Sequence, residues 1–152
     1  MNFYRIAREK YARDLSGRGG LLNAARWHSH VPVIYTSTQS STSILEKLVH
    51  LQFAEVHHDL QLIEMDVPDS VSSFVVDPLD LPDNWKTYPA PRTLARIGNA
   101  WLSAKSSLLL YVPSVVDPLA QNVLLNPLHE EARELKLVSV IPFTYDERLY
   151  KM

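Results

Sequence analysis

Residues 26–50 read RWHSHVPVIYTSTQSSTSILEKLVH, and a change of period inside this stretch decides the fold. PVIYTS (32–37) is rich in β-branched and aromatic residues and predicts a buried strand. The polar run STQSSTS follows, offering Ser40, Ser41 and Thr42 as helix caps. Apolar residues then recur at helical spacing through ILEKLVHLQFAEVHH (44–58). A strand entering a helix through a short polar turn places Arg26, Tyr35 and Glu46 on adjacent elements.

Working outward, FYRIAR (3–8) alternates apolar and basic residues and predicts a first strand. SGRGG (16–20) holds three of the four glycines and reads as a flexible turn. LQLIEMDV (60–67) alternates as a half-buried strand, and the proline-studded stretch through Pro91 reads as an ordered surface loop. A helix is expected over 93–104, with Leu94, Ile97, Ala100, Trp101 and Ala104 on one side. Residues 106–116 read as a strand buried on both faces and ended near Pro113, 117–129 as a turn-rich segment, and 135–145 as the final strand. Strands bracketing helices, with strands also consecutive at the end, predict a single α+β domain over 1–152 with a mixed sheet.

Composition narrows the chemistry. The 152 residues suffice for one self-supporting core, and the absence of Cys excludes disulfides, thiolate zinc sites and cysteine nucleophiles. No apolar run is long enough to span a bilayer, and MNFYRIAREKYARD is too charged for a signal peptide, so a cytoplasmic protein is expected. The net charge of −2 hides a pattern. Residues 1–50 carry seven Lys/Arg against three Asp/Glu, whereas 51–83 carry eight acids and no base. A basic first third suits an anionic ligand, and an acidic middle suits a basic partner. Direct nucleic-acid binding is not expected, because the chain is not basic on balance.

The candidate chemistry starts from Glu46. A helix beginning at Ser43 would make Ser43–Glu46 a capping box; one beginning at Ser40 would put Glu46 in the second turn, beside the apolar face. Arg26 offers a planar fork for phosphate oxygens, and Arg18, in the glycine-containing turn, is a second phosphate candidate. There is no Walker loop, no Rossmann GxGxxG and no GxSxG around Ser114. His28, His30 and His129 could form a metal-dependent hydrolase site, but without Cys or a telling spacing no metal is expected.

Eight segments now stand in order: FYRI (3–6), SGRGG (16–20), ARWHSH (25–30), PVIYTS (32–37), SILEKLVH (43–50), IGNAWL (97–102), LLLYVPS (108–114) and NVLLNPLH (122–129). The ordered set resembles the RES-domain family, bacterial toxins paired with Xre-type helix-turn-helix antitoxins. The resemblance implies an ADP-ribosyltransferase-like fold, with a central, mostly antiparallel mixed sheet flanked by helices. It implies NAD as substrate rather than as a bound cofactor. Arg26, Tyr35, Glu46 and Ser114 take the positions of the catalytic set, and Arg18, Arg26, Trp27, His28, Tyr35, Ser37 and Asn122 are the expected contacts to NAD. The implied partners are an Xre-type antitoxin and a second toxin copy in a homodimer. The chain departs from the family's GGRWN at Ala24, Ala25 and His28, and carries Asn99 where Asp is common.

Under this reading the bond from nicotinamide to ribose breaks. Its leaving group becomes neutral, so a fixed carboxylate facing the developing oxocarbenium ion is needed more than a strong acid. Two other outcomes stay open: a protein-modifying ADP-ribosyltransferase using the same site, and a non-enzymatic domain in which Glu46 only caps a helix.

Overall fold

β1 (Asn2–Arg8) lies inside a seven-stranded sheet. The computed structural model describes residues 1–51 and 58–151. The other strands are β2 (Ile34–Ser37), β3 (Leu60–Asp66), β4 (Ser73–Val75), β5 (Leu109–Pro113), β6 (Gln121–Leu125) and β7 (Lys136–Pro142). Their order across the sheet is β4-β5-β6-β2-β1-β3-β7. β4 and β5 run parallel and every other neighbour is antiparallel, so the α+β class and the mixed, mostly antiparallel sheet are as expected. Among the described residues three α-helices accompany the sheet: α1 (Arg18–Leu22), α2 (Ser40–His50) and α3 (Arg92–Ala104). Among the described residues no helix is long and apolar enough to cross a membrane.

Alternation along the strands sorts side chains to two faces. On one face Phe3, Ile34, Ile63, Met65, Leu109, Val123 and Leu125 form a buried apolar cluster. The other face carries two clusters. α3 covers Leu110, Val112 and Leu124 together with Trp27 and Val33. α2 lays Ile44 and Leu48 over Ile6 and Leu60. Each fully buried side chain of this size contributes about 1.5–3 kcal/mol. Ser37 and Asn122 stand opposite each other in the β2–β6 ladder, on the helical face.

Several expectations need correction. Residues 117–129 are not merely turn-rich, because β6 lies there, between β5 and β2. Its five residues are flanked by Pro118 and Pro127, whose turn signal hides a run that is strand only through long-range pairing. The 68–91 loop contains β4, a three-residue edge strand. SGRGG is an ordered turn into α1, with Gly17 at φ 74°. The buried stripe of α3 is Leu94, Gly98, Trp101 and Leu102, while Ala100 and Ala104 are exposed. The helix expected over 44–58 ends at His50, with Leu51 extended as its C-cap; residues 52–57 lie outside the described residues.

Candidate active site

α2 starts at Ser40 after Gln39, with no side-chain cap, so Glu46 sits in the second turn and the capping-box alternative is set aside. The Glu46 Oε1 accepts two hydrogen bonds, from Ser114 Oγ at 2.8 Å and from Asn122 Nδ2 at 2.6 Å. Behind them, Ser37 Oγ donates to Asn122 Oδ1 at 2.7 Å. Ser114 Oγ accepts from the Val116 and Asp117 amides at 3.2 and 3.1 Å. The single hydroxyl proton of Ser114 therefore goes to Glu46, which makes this buried serine an anchor for the carboxylate rather than a nucleophile. Glu46 Oε2 has no hydrogen-bond partner among the described residues.

Tyr35 belongs to a second chain of hydrogen bonds. His28 Nε2 faces the Gly20 carbonyl at 3.0 Å, and a carbonyl only accepts, so Nε2 carries the ring proton. Nδ1 is then the acceptor for the Tyr35 hydroxyl at 2.8 Å. The phenol oxygen in turn accepts the Trp27 amide at 3.3 Å. Burial pulls the His28 pKa below its ordinary value, against opposing backbone hydrogen bonds at Gly20 and Asn23, and so favours this neutral ring. Burial also raises the Tyr35 phenol. The hydroxyl is thus engaged inward, and Tyr35 is one of the residues lining the adjoining groove.

Arg26 is half-buried, and its Nη1 donates to the carbonyls of Trp85 at 2.7 Å and Thr87 at 3.0 Å. Burial lowers its pKa, while the nearby Glu46 and Tyr35 act in the opposite direction. The turn that carries it is clamped by α3. A Cβ on Gly98 would stand 1.6 Å from the Trp27 carbonyl oxygen, so the helix packs directly on this backbone. Asn99 adds a clamp, accepting the Ser29 amide at 3.0 Å and donating to its hydroxyl at 3.1 Å.

A groove of about 310 Å³ reaches Tyr35, between β1, the Gly17–Gly20 turn and Val33–Tyr35, with Lys47 from α2. Arg5, Arg8 and Arg18 also line it, with Asp14 as the acid. Arg8 pairs with Asp59 at 3.1 Å, and Arg5 Nη2 donates to the carbonyls of Tyr11, Ala12 and Asp14. Arg18 is exposed. Burial, and then Arg8, lowers the Lys47 pKa, as expected of a cation in a basic recess.

The structure brings together Glu46, Ser114, Asn122 and Ser37, and sets Tyr35 and Arg18 along the groove. Two expected NAD contacts lie inward: Trp27 and His28 are each 2% exposed, Trp27 within the cluster under α3 and His28 with both ring nitrogens engaged. His129 Nδ1 accepts the Glu131 amide, and among the described residues no three His, Cys, Asp or Glu are grouped to hold a metal. Arg5, Arg8 and Lys47 were missed as groove residues. Their signal was the basic alternation of FYRIAR and the excess of bases in residues 1–50.

Residues 2–146 match the family model described as the RES domain. The chain belongs to the RES domain family. A protein named Toxin Res from Yersinia enterocolitica is 37% identical over 152 residues, covering 98% of this chain and 99% of that one. A Prs ADP-ribosylating toxin from Sphingobium sp. strain YBL2 is 35% identical over 156 residues, covering 99% and 97%. Among solved structures, the M. tuberculosis MbcT–MbcA toxin–antitoxin complex contains a chain matching with a TM-score of 0.74 at 17% identity, covering 99% of this chain and 86% of that chain. That likeness is one of fold. Within this RES domain the departures from GGRWN fall at a tight turn, where Ala25 and His28 bridge through backbone hydrogen bonds and Ala24 and Ala25 are exposed.

Proposed function

We propose that this chain is the toxin of a toxin–antitoxin pair and acts by breaking the nicotinamide–ribose bond of NAD, by hydrolysis or phosphorolysis. The observation that carries the reading is Glu46, with one oxygen pinned by Ser114 and Asn122 and the other unpartnered among the described residues. Lys47, its neighbour in the chain, and Tyr35 line the basic groove. Such a carboxylate acts on positive charge that grows at the ribose as neutral nicotinamide departs, which is where stabilisation raises the rate. The groove's cations suit the pyrophosphate. Arg26, with Nη1 held by two carbonyls, keeps a fixed cation near Glu46 and Tyr35 for the pyrophosphate or the phosphate of the nicotinamide ribose. The Tyr35 ring supplies an apolar face for ribose or nicotinamide.

A second reading, protein ADP-ribosylation at the same site, is favoured by the name of the Sphingobium relative. Purified protein incubated with labelled NAD and cell lysate separates the two: label on protein marks transfer, and free ADP-ribose or its phosphate with nicotinamide marks hydrolysis or phosphorolysis. Intact NAD contradicts both readings. The solved neighbour is in complex with an antitoxin. We propose an antitoxin partner here too, of the Xre type that the resemblance implies, with a toxin homodimer inside the complex.

A further inference from the structure

We propose that Asn122, backed by Ser37, is a positioning residue that sets the orientation of Glu46, and is not a contact to NAD. The inference rests on the reading of Glu46 as the reacting carboxylate, and it assigns which of its oxygens reacts.

The orientation of the Asn122 amide follows from its neighbours. A carboxylate only accepts hydrogen bonds, so the group 2.6 Å from Glu46 Oε1 must be the NH2. Oδ1 then points to Ser37, whose hydroxyl must donate across 2.7 Å. An amide serves this relay because it accepts on one side and donates on the other. Ser37 and Asn122 are direct partners in the β2–β6 ladder, in register with Ile34↔Leu125, Tyr35↔Leu124 and Thr36↔Val123. Leu124 and Leu125 are fully buried, so the relay stands on two central strands that cannot slip without exposing the core. Ser37 is itself buried and adds its only hydroxyl proton to the relay. Ser114 meets the same oxygen from the end of β5. Two donors from neighbouring strands thus fix Oε1 and leave Oε2 as the oxygen that faces the reacting ribose.

Asn122→Ala is expected to lower kcat for nicotinamide release about 10- to 100-fold while KM for NAD stays within about twofold, the pattern of lost orientation rather than lost binding. Ser37→Ala is expected to do the same by a few-fold. Asn122→Asp is the sharper test, since it puts a second carboxylate at hydrogen-bond distance from Glu46, and such a pair must share a proton. Its pH–rate profile is expected to lose the acid side, the limb moving up by about one pH unit or more. Its melting temperature is expected to fall as pH rises through neutrality, and adding Glu46→Gln to the same chain is expected to cancel that fall. A raised KM with kcat kept in Asn122→Ala would overturn the proposal by making Asn122 a substrate contact. A melting profile in Asn122→Asp parallel to that of the wild type would overturn it by showing no coupling to Glu46. The melting comparison needs no turnover, so it holds even if the wild type leaves NAD intact and the functional reading fails.

Discussion

The two edges of β1 behave in opposite ways. Along one edge β1 pairs with β3 at seven successive positions, from Asn2↔Asp66 to Arg8↔Leu60. Along the other it meets β2 only at Tyr4↔Ser37. Beyond that point the two strands part, and the groove opens between them. The cause is the turn before α1. Gly17, in the left-handed region, offers its carbonyl to the Val33 amide at 3.3 Å, and Arg5 reaches away to three carbonyls of residues 11–14. The closed edge therefore builds stability, and the open edge carries the groove's cations and Tyr35, with Lys47 next to Glu46 on α2. Substitutions at the open edge should remove activity and spare the fold; substitutions at the closed edge should do the reverse.

The largest expected effect is at Glu46, on α2 beside the groove residue Lys47. Glu46→Gln keeps size and packing but removes the charge, so turnover of NAD is expected to fall by about 10²- to 10³-fold or more with little change in melting temperature. At the closed edge, Ile63→Ala empties a position that is 0% exposed. It is expected to destabilise the fold by about 2–5 kcal/mol in a denaturant titration, with kcat per folded molecule retained.

Gly17→Ala tests where the edges divide. Its φ of 74° disfavours a side chain, and a Cβ there would meet the Val33 amide nitrogen and Pro127 Cγ at 2.7 Å. A loss of about 1–3 kcal/mol is expected, together with a raised KM for NAD as the turn shifts against the groove.

The smallest effect is on pH. His28 is held below its ordinary pKa by burial, so the unfolded chain binds the proton first. Its contribution is complete above about pH 6.5 and is lost as pH falls from there towards the folded value. The neighbouring His30 acts in the same direction as burial on His28. Melting temperature of wild type against His28→Asn is expected to converge as pH drops below about 6; a constant difference would remove His28 from the account.

Most of the element order was legible because the local period is clear at PVIYTS, LQLIEMDV and residues 93–104. β6 was not, since QNVLL is short, lies between prolines and becomes a strand only by pairing with β2 and β5. β4 is shorter still and sits at an exposed edge. In the site, the types and order of Arg26, Tyr35, Glu46 and Ser114 could be read from motifs. The inward burial of Trp27 and His28 could not, because it depends on Gly98 and Gly20 being close enough to accept them. Nor could the bond from Ser37 to Asn122, residues 85 positions apart that a ladder register alone brings together.

The central claim is that Glu46, held on α2 by Ser114 and Asn122, breaks the nicotinamide–ribose bond. Its most direct test is chromatographic measurement of nicotinamide released from NAD by the purified wild-type chain and by Glu46→Gln at equal folded concentration. The account predicts release by the wild type, matched mole for mole by loss of NAD, and release near background by the variant. Equal release by both, or none by the wild type, would contradict it.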